Sequence, residues 1–395
     1  NMKSISQEAF EMVKNYKGSH SGEHGDGIVR SEFHEMMFGK KIINAFEEIK
    51  DIFDNKNLLN PGKIVRPYKS NDRSLMRYKS GYQANKITTH YDWSNWGQFS
   101  DAVEMCNNNG ACRKLDSGVM CPSYRVTKEE KDLVRGRANT LRLALSNQLP
   151  EGSFASKDMY ETMELCVSCK ACQRECPMSV DMAKMKSEFL SHYYKKFSMP
   201  IKDRVISDMP RLIWLLKIIA PTFNKVKNLP LISTIVNKFG FATEREMPEV
   251  QSQDALKEIY NSQPVSENKV ILFADTFNIN FENKNLIYSI KVLNKFGYQA
   301  IIPSYGKDNL SRPLCCGRTY ISYGQLDKAA SELNRFNDYI LKNNYYDLPV
   351  VGIEPSCLLT FNDEYLSLKN INNREQIKNK FYLLEEFILD QLKIN

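Results

Sequence analysis

The chain has 395 residues, of which 42% are hydrophobic, 26% charged and 11% aromatic, enough for two or three domains with cores of their own. Lys and Arg exceed Asp and Glu by seven. That excess is too small and too dispersed to point to nucleic acid, though it suits an acidic partner, an anionic membrane surface or an anionic substrate. Ten cysteines in tight groups in a long, Lys-rich chain exclude a secreted disulfide framework and point to a reducing compartment and to metal. No segment reads as a signal peptide and no apolar run reaches the length of a membrane span; the nearest, 212–221, carries Lys217 and reads as a buried helix rather than a membrane-surface one. The first residue is Asn1 rather than Met and the last α/β unit stops after one helix, which reads as an internal fragment of a longer polypeptide.

In chain order, a helical pattern over 5–16 leads into a polar Gly/His segment, 19–27. A helix over 33–53 and the turn Leu58-Leu59-Asn60-Pro61-Gly62-Lys63 follow. Residues 67–100 are polar and aromatic and read as a linker that packs on something. Residues 101–200 are cysteine-rich and helical; the pattern predicts helices over 128–145, with Thr127 as N-cap, and over 182–197. Residues 201–267 read as a helical connector interrupted by Pro210, Pro221, Pro230, Pro248 and Pro264. From 268 the period changes. Strands over 270–274, 300–303 and 349–353 alternate with helices over 285–296 and 324–343, which predicts a parallel sheet with right-handed crossovers.

The run from Cys166 to Pro177 reads C-x2-C-x2-C-x3-C-P, the ligand spacing of a two-cluster ferredoxin site. Three thiolates at this spacing wrap one iron–sulfur cube; the fourth, before the proline, ligates a second. The second half of such a site is Cys106, Cys112 and a distant Cys121-Pro122, with Asn109 where a cysteine would stand. Exchange of the fourth ligand predicts two sets: Cys166, Cys169, Cys172 and Cys121 for one [4Fe-4S] cluster, and Cys106, Cys112 and Cys176 for the other. The second is expected to be [3Fe-4S], or [4Fe-4S] with one iron held by water, by Asn109 or by another thiolate. Structural zinc is the alternative, but it needs two cysteine pairs rather than a run of three plus C-P. Lys170, Arg174 and Arg113 read as solvated charges rather than cations that tune a cluster.

Cys315-Cys316-Gly317 and Cys357 fall at carboxyl ends of predicted parallel strands, where open α/β sheets place ligands. Adjacent cysteines cannot both enter a core, so a metal site or a redox-active thiol pair is weighed against one buried and one incidental cysteine. Glu23-His24 pairs a carboxylate suited to a divalent metal with an imidazole suited to taking a hydroxyl proton; a glycine-rich turn with a satisfied histidine is the commoner origin of such a pattern.

Ser21-Gly22-Glu23-His24-Gly25-Asp26-Gly27, with Asn57-Leu58-Leu59-Asn60-Pro61-Gly62-Lys63-Ile64, resembles the C-terminal tail of FAD-linked oxidases of the vanillyl-alcohol-oxidase type, which include D-lactate and D-2-hydroxyglutarate dehydrogenases. The two cysteine runs, with Arg135-Gly136-Arg137-Ala138, resemble the ferredoxin part of large fused members. Pro313 to Arg318 and Glu354 to Leu359 resemble the first half of their cysteine-rich CCG domain. The resemblance implies a multidomain α+β fold. An FAD-linked oxidase tail (1–66) and linker (67–100) would precede an α-helical two-cluster ferredoxin domain (101–200) and a helical connector (201–267). A truncated α/β parallel-sheet CCG domain (268–395) would follow.

It also implies roles. Glu23 would complete a divalent-metal site whose histidines lie upstream, His24 would be the base and Asn60 would lie near FAD. Cys315, Cys316 and Cys357 would be metal ligands. The full-length protein would take a small D-2-hydroxyacid and pass electrons to a quinone or other carrier, in the cytoplasm or peripherally at the inner face of a membrane. The alternatives are an iron–sulfur subunit of a glycerol-3-phosphate or glycolate dehydrogenase and a non-catalytic, metal-stabilised binding module.

Overall fold

The computed structural model describes residues 2–227, 229–242, 244, 246–303, 305, 312–377 and 380–394; for 75, 214–219, 231, 233, 235, 377 and 394 it describes the backbone only. Two compact units divide at residue 83.

The first unit, 1–83, is helical. Its helices are Met2–Asn15, Gly27–Ser31, His34–Phe38 and Lys40–Phe53. The single helix expected over 33–53 is broken because Gly39 sits at φ +80°, a conformation that ends one helix and redirects the chain into the next. Asp54 then shapes the following turn: its carboxylate accepts from the Leu58 and Leu59 amides at 2.9 Å.

The second unit, 84–395, joins the cysteine-rich helices to a four-stranded, all-parallel sheet. The strands are β1 (Lys269–Phe273), β2 (Gln299–Ile301), β3 (Val350–Gly352) and β4 (Phe381–Leu383), in the order β2-β1-β3-β4. The first three lie where the alternation predicts them; β4 has no counterpart among the predicted strands. Both faces of the sheet are covered, as parallel sheets require. On β1, Ile271 and Phe273 face the core shared with the cysteine-rich helices, while Val270 and Leu272 face a second core under the helices at 254–261 and 283–295.

Two helix expectations are corrected. Thr127 does not cap a helix starting at 128; it ends the helix Pro122–Thr127, and Lys128 turns away at φ +60°. After a 3-10 turn at Glu130–Asp132, the helix runs Val134–Leu145. Pro210 and Pro230 start helices at positions where no amide partner is needed, but Pro221 does not interrupt: the helix Met209–Val226 continues through it. The side-chain surroundings expected for the apolar run 212–221 lie mostly outside the described side chains. Among the described residues no helix is long and apolar enough to cross a membrane.

The stretch 89–93 is tied into this unit rather than left loose. Tyr91 bridges Leu368 antiparallel; the Asp92 amide donates to the Ser367 carbonyl and the Lys369 amide to the His90 carbonyl, both at 2.7 Å. Beneath it, Glu188 is wholly buried and accepts from the His90 amide (2.9 Å), the Tyr91 amide (3.0 Å) and the Trp93 indole (3.3 Å).

Candidate metal centres

The loop Cys166–Cys172 carries two non-glycine residues with positive φ, Ser168 at +53° and Lys170 at +60°. These tight reversals bring successive thiols to one side. The short helix Ala171–Glu175 then presents Cys172, and Cys176 leaves it in extended conformation. Cys121 occupies the N-cap position of the helix that begins at Pro122. Cys121, Cys166, Cys169 and Cys172 all line one small cavity, closed by Met120, Val134, Arg137 and Met182. The ten cysteines form no disulfide. Burial pushes the Cys172 thiol up to about 12 and raises that of Cys169, so loading with a metal releases protons. Four thiols converging on one pocket are a donor set that fits a cubane cluster.

Arg137 lies against this pocket, fully buried. It donates to Cys121 Sγ at 3.7 Å and to the Thr162 carbonyl at 2.9 Å, and faces Asp132 at 3.7 Å. A buried guanidinium beside a thiolate offsets the negative charge that such a ligand set gathers. Its helix approaches the 130–132 turn so closely that a Cβ on Gly136 would sit 2.0 Å from the Glu130 carbonyl oxygen. Gly136→Ala is therefore expected to cost about 1–3 kcal/mol through overpacking, read as a lowered melting temperature.

Cys106 and Cys112 are buried near each other, with Arg135 beside Cys112. Cys176 is half-buried and packs against the same core. Asn109 does not reach toward them: its Oδ1 accepts from the Ala111 amide (2.8 Å) and its Nδ2 donates to Asn107 Oδ1 (2.6 Å). It is Asn108 whose Oδ1 lies 3.8 Å from Cys106 Sγ. The two cysteine arms are strapped together by Glu175, whose carboxylate accepts from the Val119 and Met120 amides at 2.9 and 3.1 Å.

Cys315, Cys316 and Cys357 are all buried, the first two in the loop before the Arg318–Ser322 helix and the third in the first turn after β3. Cys315 and Cys316 are 4% and 2% exposed, so the adjacent pair does enter the core together. The Gly317 and Arg318 amides donate to Cys315 and Cys316 Sγ at 3.3 and 3.4 Å. All three thiols are held above their usual range, with burial a common contributor. Lys170 is no free surface charge. It is ion-paired with Asp363 and Glu364 (the latter at 2.7 Å), joining the cluster loop to the 355–364 region. Arg318 adds to this bond by pairing with Glu364 and reaching the Ser168 carbonyl at 3.4 Å. Between the cluster loop and Arg318 lies a cavity of about 340 Å³, lined also by Tyr160, Tyr194, Tyr323 and Lys186.

In the first unit, Glu23 and His24 are exposed, and Asn60 is an exposed turn residue at φ +48°. Three residues that the spacing of Glu23-His24 did not single out converge instead: His20, Asp26 and His34. His20 and His34 are 6% and 2% exposed. Burial keeps the His20 imidazole neutral to lower pH than usual. The signal was present in the sequence, since three of only five histidines fall within 20–34.

Residues 1–64 match the family model "FAD linked oxidases, C-terminal domain" and residues 102–180 match "4Fe-4S dicluster domain". Among curated relatives, D-2-hydroxyglutarate dehydrogenase of Pantoea ananatis (strain AJ13355) is 27% identical over 92% of this chain and 39% of its own length. The protein of the same name from Pseudomonas putida is 25% identical over 99% of this chain and 42% of its own. Glycolate oxidase subunit GlcD of Bacillus subtilis (strain 168) is 40% identical over 14% of the chain and 12% of its own length. No solved structure matches. The chain thus spans about two fifths of the length of the D-2-hydroxyglutarate dehydrogenases it aligns with. It combines the C-terminal part of an FAD-linked oxidase domain with a 4Fe-4S dicluster domain, and is similar to those dehydrogenases over more than nine tenths of its length.

Proposed function

We propose that this chain is the electron-relay portion of a flavin- and iron–sulfur-dependent dehydrogenase acting on a D-2-hydroxyacid, D-2-hydroxyglutarate in the first instance and D-lactate in the second. One observation carries the reading: thiols from two separate runs, Cys121 on one side and Cys166, Cys169 and Cys172 on the other, line a single pocket. The domain matches and the relatives' printed names supply the donor class.

When bound, the clusters supply one-electron steps between a reduced flavin and the final acceptor. The chain's own residues do the rest. Cys121, Cys166, Cys169 and Cys172 hold one cluster, with Arg137 offsetting its charge. Cys106, Cys112 and Cys176 hold the second, of [3Fe-4S] or incompletely ligated type. In the full-length protein His24 would take the substrate's hydroxyl proton while the α-hydrogen leaves as hydride to FAD. Glu23 would complete a divalent-metal site that orients the hydroxyacid, and Asn60 would lie near the flavin. The cavity between Ser168 and Arg318, with Tyr160, Tyr194 and Tyr323 on its walls, is where a quinone or other carrier would approach the cluster loop, from the cytoplasm or at the inner membrane surface. Cys315, Cys316 and Cys357 form a third metal-binding group.

The test is anaerobic purification followed by iron and sulfide analysis and EPR of the reduced chain. Signals from two interacting clusters support the reading; zinc with EPR silence overturns it. In the full-length protein, His24→Asn is expected to lower turnover of D-2-hydroxyglutarate by about 10²–10⁴-fold. A preference for glycolate would move the assignment to the class of the glycolate oxidase relative.

A further inference from the structure

His20, Asp26 and His34 converge in the first unit with their potential ligand atoms all within 4.8 Å of one another. His20 Nε2 lies 3.6 Å from Asp26 Oδ1, and His34 Nε2 lies 3.0 Å from Asp26 Oδ2. The two imidazole rings meet edge to face, with centroids 5.4 Å apart, and Phe10 and Phe38 pack against them. Neither ring nitrogen of His20 has a hydrogen-bond partner among the described residues, although the residue is almost wholly buried. An unpartnered buried imidazole costs about 1–3 kcal/mol, so the arrangement calls for a ligand.

The outer contact of His34 sharpens the point. Its Nδ1 lies 3.3 Å from the Ile64 carbonyl oxygen, which can only accept. With its proton on Nδ1, a neutral ring presents the lone pair of Nε2 to an ion shared with the Asp26 carboxylate; a protonated ring, with no ion bound, donates to both oxygens. A ring nitrogen bonded to a backbone carbonyl while its other nitrogen faces the ion is the usual second layer around a metal-bound histidine. Ligands about 2.0–2.2 Å from a tetrahedral ion stand roughly 3.4 Å apart, so the observed separations need only small side-chain movements. The Asp26 side chain keeps 19% exposure, which leaves an entry path.

We infer that His20, Asp26 and His34 form a binding site for one borderline divalent transition-metal ion, of the Zn²⁺ or Fe²⁺ class, with at least one coordination position open. Two imidazoles and one carboxylate are the donor set such ions choose over Mg²⁺ or Ca²⁺. The site excludes Glu23 and His24 and does not depend on the hydroxyacid reading.

The test is titration of Zn²⁺ into the chelator-treated, cluster-loaded full chain by calorimetry, with zinc counted by elemental analysis. The comparison is with His20→Leu/His34→Leu, a pair of similar volume suited to the aromatic surroundings. The expected result is one fewer tightly bound Zn²⁺ in the double variant and loss of the rise in melting temperature that Zn²⁺ gives the parent. Asp26→Asn, which leaves both rings in place, is expected to weaken the same site. Glu23→Ala is expected to leave it unchanged. Equal zinc in parent and double variant, both folded by circular dichroism, overturns the inference. So does loss of the ion on Glu23→Ala, which would assign the metal to the Glu23 site instead.

Discussion

Cys121→Ala is expected to remove the cluster of the Cys166–Cys172 loop, while Cys176→Ala spares it. The exchange of fourth ligands read from the two C-P spacings assigns Cys121 to this loop, although Cys176 is only four residues from Cys172 and Cys121 belongs to the other run. The structure lines one pocket with Cys121, Cys166, Cys169 and Cys172, and Cys176 is not among its walls. The measurement is iron per chain and EPR of the reduced protein after anaerobic purification. Cys121→Ala should lose about four irons and the signal of one cubane, leaving the other centre visible. Cys176→Ala should instead alter the centre near Cys106 and Cys112. Arg137→Met is a graded control: the pocket keeps its four thiols but loses a buried cation, so the reduction potential should fall while the iron count holds. If Cys176→Ala empties the Cys166 loop and Cys121→Ala does not, the ligand exchange is wrong.

Glu188→Gln should be the most destabilising single change outside the cysteines, about 3–5 kcal/mol, or on the order of 10 °C in melting temperature. Burial alone would raise this carboxyl. Hydrogen bonds from the His90 side chain and the His90 and Tyr91 amides, with His192 Nε2 3.8 Å away, outweigh burial and hold it down to about 2. An amide there offers one acceptor and turns its NH2 against other donors. The pH dependence follows from the sign. A carboxyl lowered on folding contributes its stability above its unfolded value, near 4.5, and loses it as pH falls toward 2. The loss is about 3 kcal/mol in all. His90 works the other way: Glu188 raises it, so its contribution is complete below 6.5 and fades as pH rises through the folded value. Asp327 also faces His90, at 3.6 Å, but is exposed and adds little. Denaturant melts of the parent should be most stable between the two windows, and the low-pH loss should be absent in Glu188→Gln.

Much of this arrangement is written in local pattern. The alternation that marks β1 and β3 is strong because both strands are buried on two faces, and the spacing of Cys166 to Pro177 is short enough to be read as geometry. What escaped depends on distant partners. Glu188 looks like an ordinary helix glutamate until residues 90–93 fold over it. Arg137 was visible only within the Arg135-Gly136-Arg137-Ala138 motif; its role comes from burial beside Cys121. Lys170 reads as a solvated charge because its carboxylate partners, Asp363 and Glu364, are far along the chain. Asn109 stands at the right interval for a ligand, yet an Asx turn with Ala111 uses its oxygen locally, a competition that spacing alone does not reveal. Conversely, the adjacency rule for Cys315 and Cys316 failed because Gly317 lets the chain turn at φ +77° and tuck both inward.

The clip between 89–92 and 367–369 also bears on how the second unit is assembled. The antiparallel bridge of Tyr91 cannot close until Leu368 has been synthesised, whereas every thiol from Cys106 to Cys176 emerges well before that. Closing so long a span carries a large entropic toll, and pairings of this separation form late and slowly. Iron delivery to a nascent or newly released chain can therefore precede the final lock, and shortening the polypeptide before residue 367 would leave the Tyr91 bridge and the Asp92 and His90 backbone bonds unmade.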